Sequence, residues 1–214
     1  VLLDVLTVAV LALVGTRLVT TAVTAGRSRV LRDRAVRIVR ALRPRHFLRA
    51  PLVFIVVIAA ALALLHVPGL SFGWWTAIGG TGNVITGGTE RSTLGPVQWL
   101  APLFFVALIV PLLPLFAERE EHMFREGAED WSTARRVRRS VEFGLVHLIM
   151  GIPIGVALAL SLGGGYFTWA YLRGYRASGG SRAAAVLEST CAHLAYNASI
   201  IGLLVVGALL DAFL

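Results

Sequence analysis

Three clusters of polar residues stand in apolar surroundings, and each brings a side chain used in acid–base chemistry. Glu120-Glu121-His122-Met123-Phe124-Arg125 sets two carboxylates and a guanidinium at the end of an apolar tract. Phe143-Gly144-Leu145-Val146-His147 carries an imidazole into a second tract, and His193-Leu194-Ala195-Tyr196-Asn197 spaces an imidazole and an amide four residues apart. Glu121 and Arg125 share one helical face and are expected to form an ion pair. Glu120 points about 100° away around the helix and is the freer carboxylate. Ionisable groups within membrane spans are expensive and default to a functional role. One carboxylate, two imidazoles and one amide, on three helices, are the parts needed to hydrolyse a peptide bond. A carboxylate takes a proton from water, a histidine orients that water, and two donors receive the charge on the carbonyl oxygen. Each cluster alone also has a structural reading: a surface pair at a solvated helix end, a histidine bonded to a backbone carbonyl, and an asparagine gluing helices together.

The elements that must position these residues are long and apolar. Of the 214 residues 57% are hydrophobic before the 22 Gly are counted, and only 15% are charged; a soluble domain is roughly 45–50% apolar with Gly included. Several tracts have the roughly 17–25 nearly charge-free residues that cross a hydrocarbon core. The fold class is therefore all-α: a polytopic helical membrane protein with about six to eight membrane helices enclosing a polar cavity. The expected tracts are Val1 to Ala25, Phe47 to Val67, Val97 to Arg125, a short one at Arg136 to Gly151, Pro153 to Arg173, and Arg182 to Leu214. The last is either one long tilted helix or two pieces broken near Asn197. Counting from Arg139 and Arg182 places His147 and His193 roughly 12 and 16 Å deep. Residues 1–96 hold two membrane helices and their loops, and 97–214 hold the core that carries all three clusters.

All 20 basic residues are Arg, the mark of a high-GC, bacterial coding bias, and the net charge is +8. Positive charge flanking apolar spans belongs to the cytoplasmic side of a membrane protein, so nucleic acid is not an expected partner and membrane lipids are. Nine Arg lie between Arg27 and Arg49, one between Pro68 and Pro96, six between Arg119 and Arg139, and three between Arg173 and Arg182. The Arg-rich loops are accordingly assigned to the cytoplasm, with Pro68 to Pro96 and the N-terminus outside. Leu31, Ala35, Ile38 and Leu42 recur at helical spacing, with Pro44 closing the pattern, as in an amphipathic helix lying on anionic headgroups. Trp74 and Trp75 read as an interfacial belt. Gly79-Gly80-Thr81-Gly82-Asn83 has the glycines of a phosphate loop without its Lys or its strand-to-helix setting. Cys191 has no partner for a disulfide and reads as a packing residue, and Glu188 as the partner of an Arg. Val1 to Gly26 lacks a basic leading segment and precedes an Arg cluster, so it reads as a retained helix rather than a signal peptide.

Taken in order, Glu-Glu-x-x-x-Arg at Glu120, Glu121 and Arg125, Phe-x-x-x-His at Phe143 and His147, and His-x-x-x-Asn at His193 and Asn197 resemble the motifs of the CPBP family of intramembrane proteases. That family includes the type 2 CAAX prenyl endopeptidases, the bacteriocin-processing proteins and the Abi group. The resemblance covers about Val97 to Ile201, half of the chain. It implies a hydrolase that cuts membrane-associated or lipidated peptides from the cytoplasmic side of the membrane, which the coding bias assigns to a bacterial cell. It further implies Glu120 as general base on water, His147 positioning that water, and His193 with Asn197 stabilising the oxyanion. Glu121 and Arg125 would be a supporting ion pair, with Phe143 packed beside the site. No cofactor is required on this reading. Zinc or another divalent metal on Glu120, His147 and His193 is the alternative. Glu126 stands where the family often has a small residue, and Arg173-Gly-Tyr-Arg-Ala-Ser-Gly-Gly where it often has a Thr-Gly-Ser turn.

Other protease classes fit worse: His-Glu-x-x-His is absent, Asp4, Asp33, Asp130 and Asp211 form no Gly-x-Gly-Asp pattern, and no Gly-x-Ser-x-Gly elbow occurs. Two rival functions remain, a non-proteolytic membrane scaffold or immunity protein, and a small-solute or proton carrier using His147 and Glu120 as a relay. The carrier lacks the internal repeat such proteins often show.

Overall fold

The structure, a computed structural model, describes residues 2–80 and 97–213, and within them all regular structure is helical, with no strand. The α-helices are α1 (Leu2–Arg27), α2 (Arg29–Ala41), α3 (Pro44–Leu65), α4 (Trp74–Ala77), α5 (Val97–Arg125), α6 (Thr133–Val146), α7 (Ile154–Ala177) and α8 (Arg182–Phe213). Among the described residues three segments are long and apolar enough to cross a membrane: Val8–Arg27, Pro44–Leu65 and Ile154–Ala177.

Local chemistry sets the boundaries. Ser28 and Ser132 cap α2 and α6, each side-chain oxygen accepting a backbone N–H three residues on. Pro44 is the first residue of α3, where its missing N–H costs nothing. The helix α3 follows directly on the turn that ends α2. At the start of α7 two otherwise unpaired N–H groups, of Ile154 and Gly155, donate to the Phe72 and Leu70 carbonyls at 2.9 and 2.8 Å. The α3–α4 connection is thereby tied to the first turn of α7.

The core lies between α3, α5, α6, α7 and α8, around Val57, Phe124, Phe143, Phe167 and Tyr196. The helices α6 and α7 run antiparallel at close range. A Cβ placed on Gly144 would stand 2.3 Å from the Ala157 carbonyl oxygen, and one on Gly164 would stand 2.8 Å from that of Ser140. Only a residue without a side chain allows that approach. On its outer side α3 exposes Leu48, Leu52 and Ile55 by 73, 65 and 61%, the reverse of a helix facing water and the pattern of one facing lipid.

Three expectations are corrected, and one choice between alternatives is decided. The apolar face of α2 rests on protein rather than on headgroups: Ile38 is wholly buried, and its carbonyl lies 3.7 Å from Cys191 Sγ on α8. The tract from Arg182 is one helix, unbroken at Asn197. The fourth tract is α-helical only to Val146 and then tightens into a 3-10 turn, His147–Met150. Trp75 is not an interfacial residue. It is wholly buried, pressed on the backbone of Gly151, where a Cβ would meet Trp75 Cβ at 2.3 Å. Trp74 donates its Nε1–H to the Leu148 carbonyl at 2.8 Å. The Thr81–Asn83 part of the glycine run, like the rest of the outer loop to Pro96, lies outside the described residues.

Candidate functional site

The three clusters meet where α5, α6, α7 and α8 come together. Glu121 Oε1 accepts a hydrogen bond of 2.9 Å from His193 Nδ1 and forms an ion pair of 3.3 Å with Arg125 Nη1. Both Glu121 and Arg125 are completely buried, so this pair is no solvated helix end. An unpaired charge in that setting is very unfavourable, and the rest of the site compensates it. Arg125 Nη2 donates to the Gly164 carbonyl at 3.4 Å, reached because Gly164 has no side chain. The guanidinium carbon lies 4.1, 5.4 and 5.5 Å from the ring centres of Phe143, Phe167 and Phe124. Cation–π attraction replaces part of the lost hydration.

The Glu121 carboxylate, ionised beside Arg125, only accepts hydrogen bonds, so His193 carries its proton on Nδ1 and presents Nε2 on the other side. That Nε2 faces Glu120 Oε2 at 3.8 Å. The distance exceeds a hydrogen bond, yet one water at about 2.8 Å from each atom spans it. Glu120 Oε2 is buried and has no hydrogen-bond partner among the described residues, and neither has Glu121 Oε2. The Glu120 side chain as a whole is 33% exposed, against none for Glu121, so the freer carboxylate is the one helical geometry singled out.

His147 owes its orientation to the change from α to 3-10 geometry. Its backbone N–H turns to Gly144 instead of Phe143, and its own Nδ1 takes the freed Phe143 carbonyl at 2.7 Å. The Nδ1–H donates there, which leaves Nε2 as an acceptor. His147 therefore has the backbone contact of its structural reading and a free nitrogen besides. Phe143 ties the two imidazoles into one cluster, its ring edge-on to His147 at 4.9 Å and to His193 at 5.5 Å between centres. Asn197 follows one turn after His193 on α8 and is half-buried, and among the described residues no hydrogen bond joins it to Glu120, His147 or His193. Helix spacing does not single out Phe167, whose ring stacks on His193 at 4.3 Å and 19°. It belongs to the site by packing, and no motif carries it.

The rings of Phe124, Phe143 and Phe167 surround the Arg125 guanidinium, and those of Phe143 and Phe167 also pack on His193. The three candidate metal ligands Glu120, His147 and His193 are not gathered as such. Among the described residues no group of three or more His, Cys, Asp or Glu side chains is placed to hold a metal ion.

Glu188, five residues before His193, pairs with Arg45 Nη2 at 2.6 Å, as expected for a carboxylate with an Arg partner. His46 Nε2 also approaches it, at 3.3 Å and off the line of a hydrogen bond. A scan against protein-family models finds no matching family, a search of curated proteins finds no matching relative, and a search of solved structures finds no matching structure.

Proposed function

We propose that the chain is an intramembrane endopeptidase that hydrolyses a peptide bond in a membrane-associated or lipidated peptide or protein, of the CPBP and CAAX prenyl protease type its motifs resemble. The observation that carries this reading is the unpartnered Glu120 Oε2 facing His193 Nε2 at 3.8 Å beside a buried Glu121–Arg125 pair. A carboxylate oxygen with no protein partner at that distance from a ring nitrogen suits a bridging water, and water is the reactant of hydrolysis. Glu120 takes the proton of that water as the oxygen attacks the carbonyl carbon. His147 Nε2 accepts its other hydrogen bond. His193, its Nδ1–H fixed by Glu121, enters the reaction with Nε2 also protonated and donates that Nε2–H to the carbonyl oxygen without giving it up, with Asn197 as the second donor. The proton held on Glu120 then passes to the leaving amine. Arg125 keeps Glu121 ionised and so holds the His193 ring in place. On this reading the six-to-eight-helix bundle sits in a bacterial cell membrane, with the site open to the cytoplasm.

The complete burial of Glu121 and Arg125 favours a second reading, a membrane scaffold or immunity protein in which the same residues only pack. The two separate in one experiment. Membrane peptides from cells making the wild-type chain or Glu120→Gln are compared by mass spectrometry, with protein levels measured alongside. Cleavage products that appear with the wild type and vanish with an equally abundant variant support the protease. The same peptides in both leave the scaffold.

A further inference from the structure

A second feature lies one turn nearer the Arg-rich end of α8. A cavity of about 400 Å³ opens between the α2–α3 turn and the facing ends of α7 and α8. Four arginines line it, Arg40, Arg43, Arg45 and Arg173, against the single carboxylate of Glu188. Glu188 engages Arg45 alone of these four at 2.6 Å. No carboxylate pairs with Arg40, Arg43 or Arg173 among the described residues, and the Nε–H of Arg45 is buried there without a partner. The helix ends around the cavity are two N-termini and two C-termini, so their dipoles largely offset one another and the guanidinium groups set the potential. Planar guanidinium donors converging on one cavity suit a phosphate oxyanion.

The source of that phosphate follows from what adjoins the cavity. Arg45, Leu48, Leu52 and Ile55 succeed one another on α3 at spacings of three, four and three, a single helical face. The three apolar members are exposed by 73, 65 and 61%. The cavity thus continues into an exposed apolar track down a helix long enough to span a membrane, and it stands at the charged head of that span. A ligand with an anionic head and a long hydrocarbon tail matches both parts. We infer that the cavity between the α2–α3 turn and the ends of α7 and α8 binds the phosphate headgroup of an anionic phospholipid, its acyl chain lying along Leu48, Leu52 and Ile55. The inference is independent of the protease reading, because lipid is bound whether or not Glu120 activates water.

The test uses the full chain purified in detergent, titrated with phosphatidylglycerol, phosphatidylcholine or glycerol 3-phosphate and read by native mass spectrometry. Phosphatidylglycerol is expected to bind at least about tenfold more tightly than phosphatidylcholine. Arg43→Gln with Arg173→Gln is expected to weaken it by at least about tenfold, at roughly fivefold or more for each arginine near a headgroup. Arg37→Gln with Arg119→Gln removes the same charge from exposed positions outside the cavity, and its effect should stay below about threefold, as for general charge attraction. Arg43 is exposed at the turn, so Arg43→Gln alone, expected to lose about fivefold, serves should the pair disturb folding. Equal binding of the two lipids overturns the proposal, as do equal losses in the two double variants. Occupation of the cavity by glycerol 3-phosphate at lipid-like concentrations overturns it in favour of a soluble phosphate ester.

Discussion

The helix α8 carries two assemblies of the same three residue types, and they differ in what is left unsatisfied. Near its start Glu188 meets Arg45 and His46, with one carboxylate oxygen toward each. Five residues on, His193 meets Glu121, itself paired with Arg125, and then a second carboxylate, Glu120, faces the same ring from the other side. In the first assembly His46 accepts the Arg43 backbone N–H on Nδ1, which directs its remaining nitrogen at Glu188. Both oxygens of Glu188 are turned to a protein partner, although Arg45 Nε stays unpaired. In the second, Glu120 Oε2 is left over. Glutamate, arginine and histidine together do not mark a reactive site; an additional acceptor with no protein partner does.

Substitutions at corresponding members of the two assemblies should therefore diverge. The largest expected effect is on cleavage. Glu120→Gln removes the base while keeping the shape, and should lower turnover of a membrane peptide by about 10²–10⁴-fold, followed by product formation in reconstituted vesicles. Next comes stability: Glu121→Gln leaves Arg125 buried without its countercharge and should cost about 3–5 kcal/mol, measured by thermal unfolding in detergent. Glu188→Gln touches a pair whose Arg45 side chain is 35% exposed. It should cost only about 1 kcal/mol and leave cleavage intact; a loss of cleavage as deep as that of Glu120→Gln would erase the contrast.

The smallest effect belongs to a third ion cluster, at the turn from α5 to α6. Glu129 bonds Arg182 and accepts the Tyr171 hydroxyl at 2.9 Å. Burial alone raises its carboxyl, but the bonds from Arg182 and Tyr171 outweigh this and hold it below the ordinary carboxylate range. A carboxylate with a lowered folded-state pKa stabilises above its unfolded value of about 4.3 and loses that contribution as pH falls through the folded value. Melting temperature should then drop less below pH 4.3 in Glu129→Gln than in the wild type.

Much of this was legible in the residues themselves. The i, i+4 spacing places Glu121 against Arg125 and turns Glu120 away, and Pro44 and the charge pattern bracket α2 and α3 to within a few residues. What escaped was set by contacts far apart in the chain. Trp75 is aromatic beside an apolar span, and nothing local tells whether it faces lipid or Gly151. Likewise the burial of Arg125 depends on Phe143, Phe167 and a carbonyl exposed by Gly164, none of which helical periodicity ranks above its neighbours. The pairing of Glu188 with Arg45 joins residues 143 positions apart. The apolar face of α2 was read correctly as a face, but the helix packs on α1, α5 and α8 rather than on the bilayer alone.

The near contact of α6 with α7 bears on how this chain can vary. With Gly144 against Ala157 and Gly164 against Ser140 at less than the width of a methyl group, any larger residue there pries apart the rods that bring Phe143 to His193. Descendants of this sequence are free to drift on the lipid-facing sides of α1 and α3, and are held to hydrogen alone along that one seam.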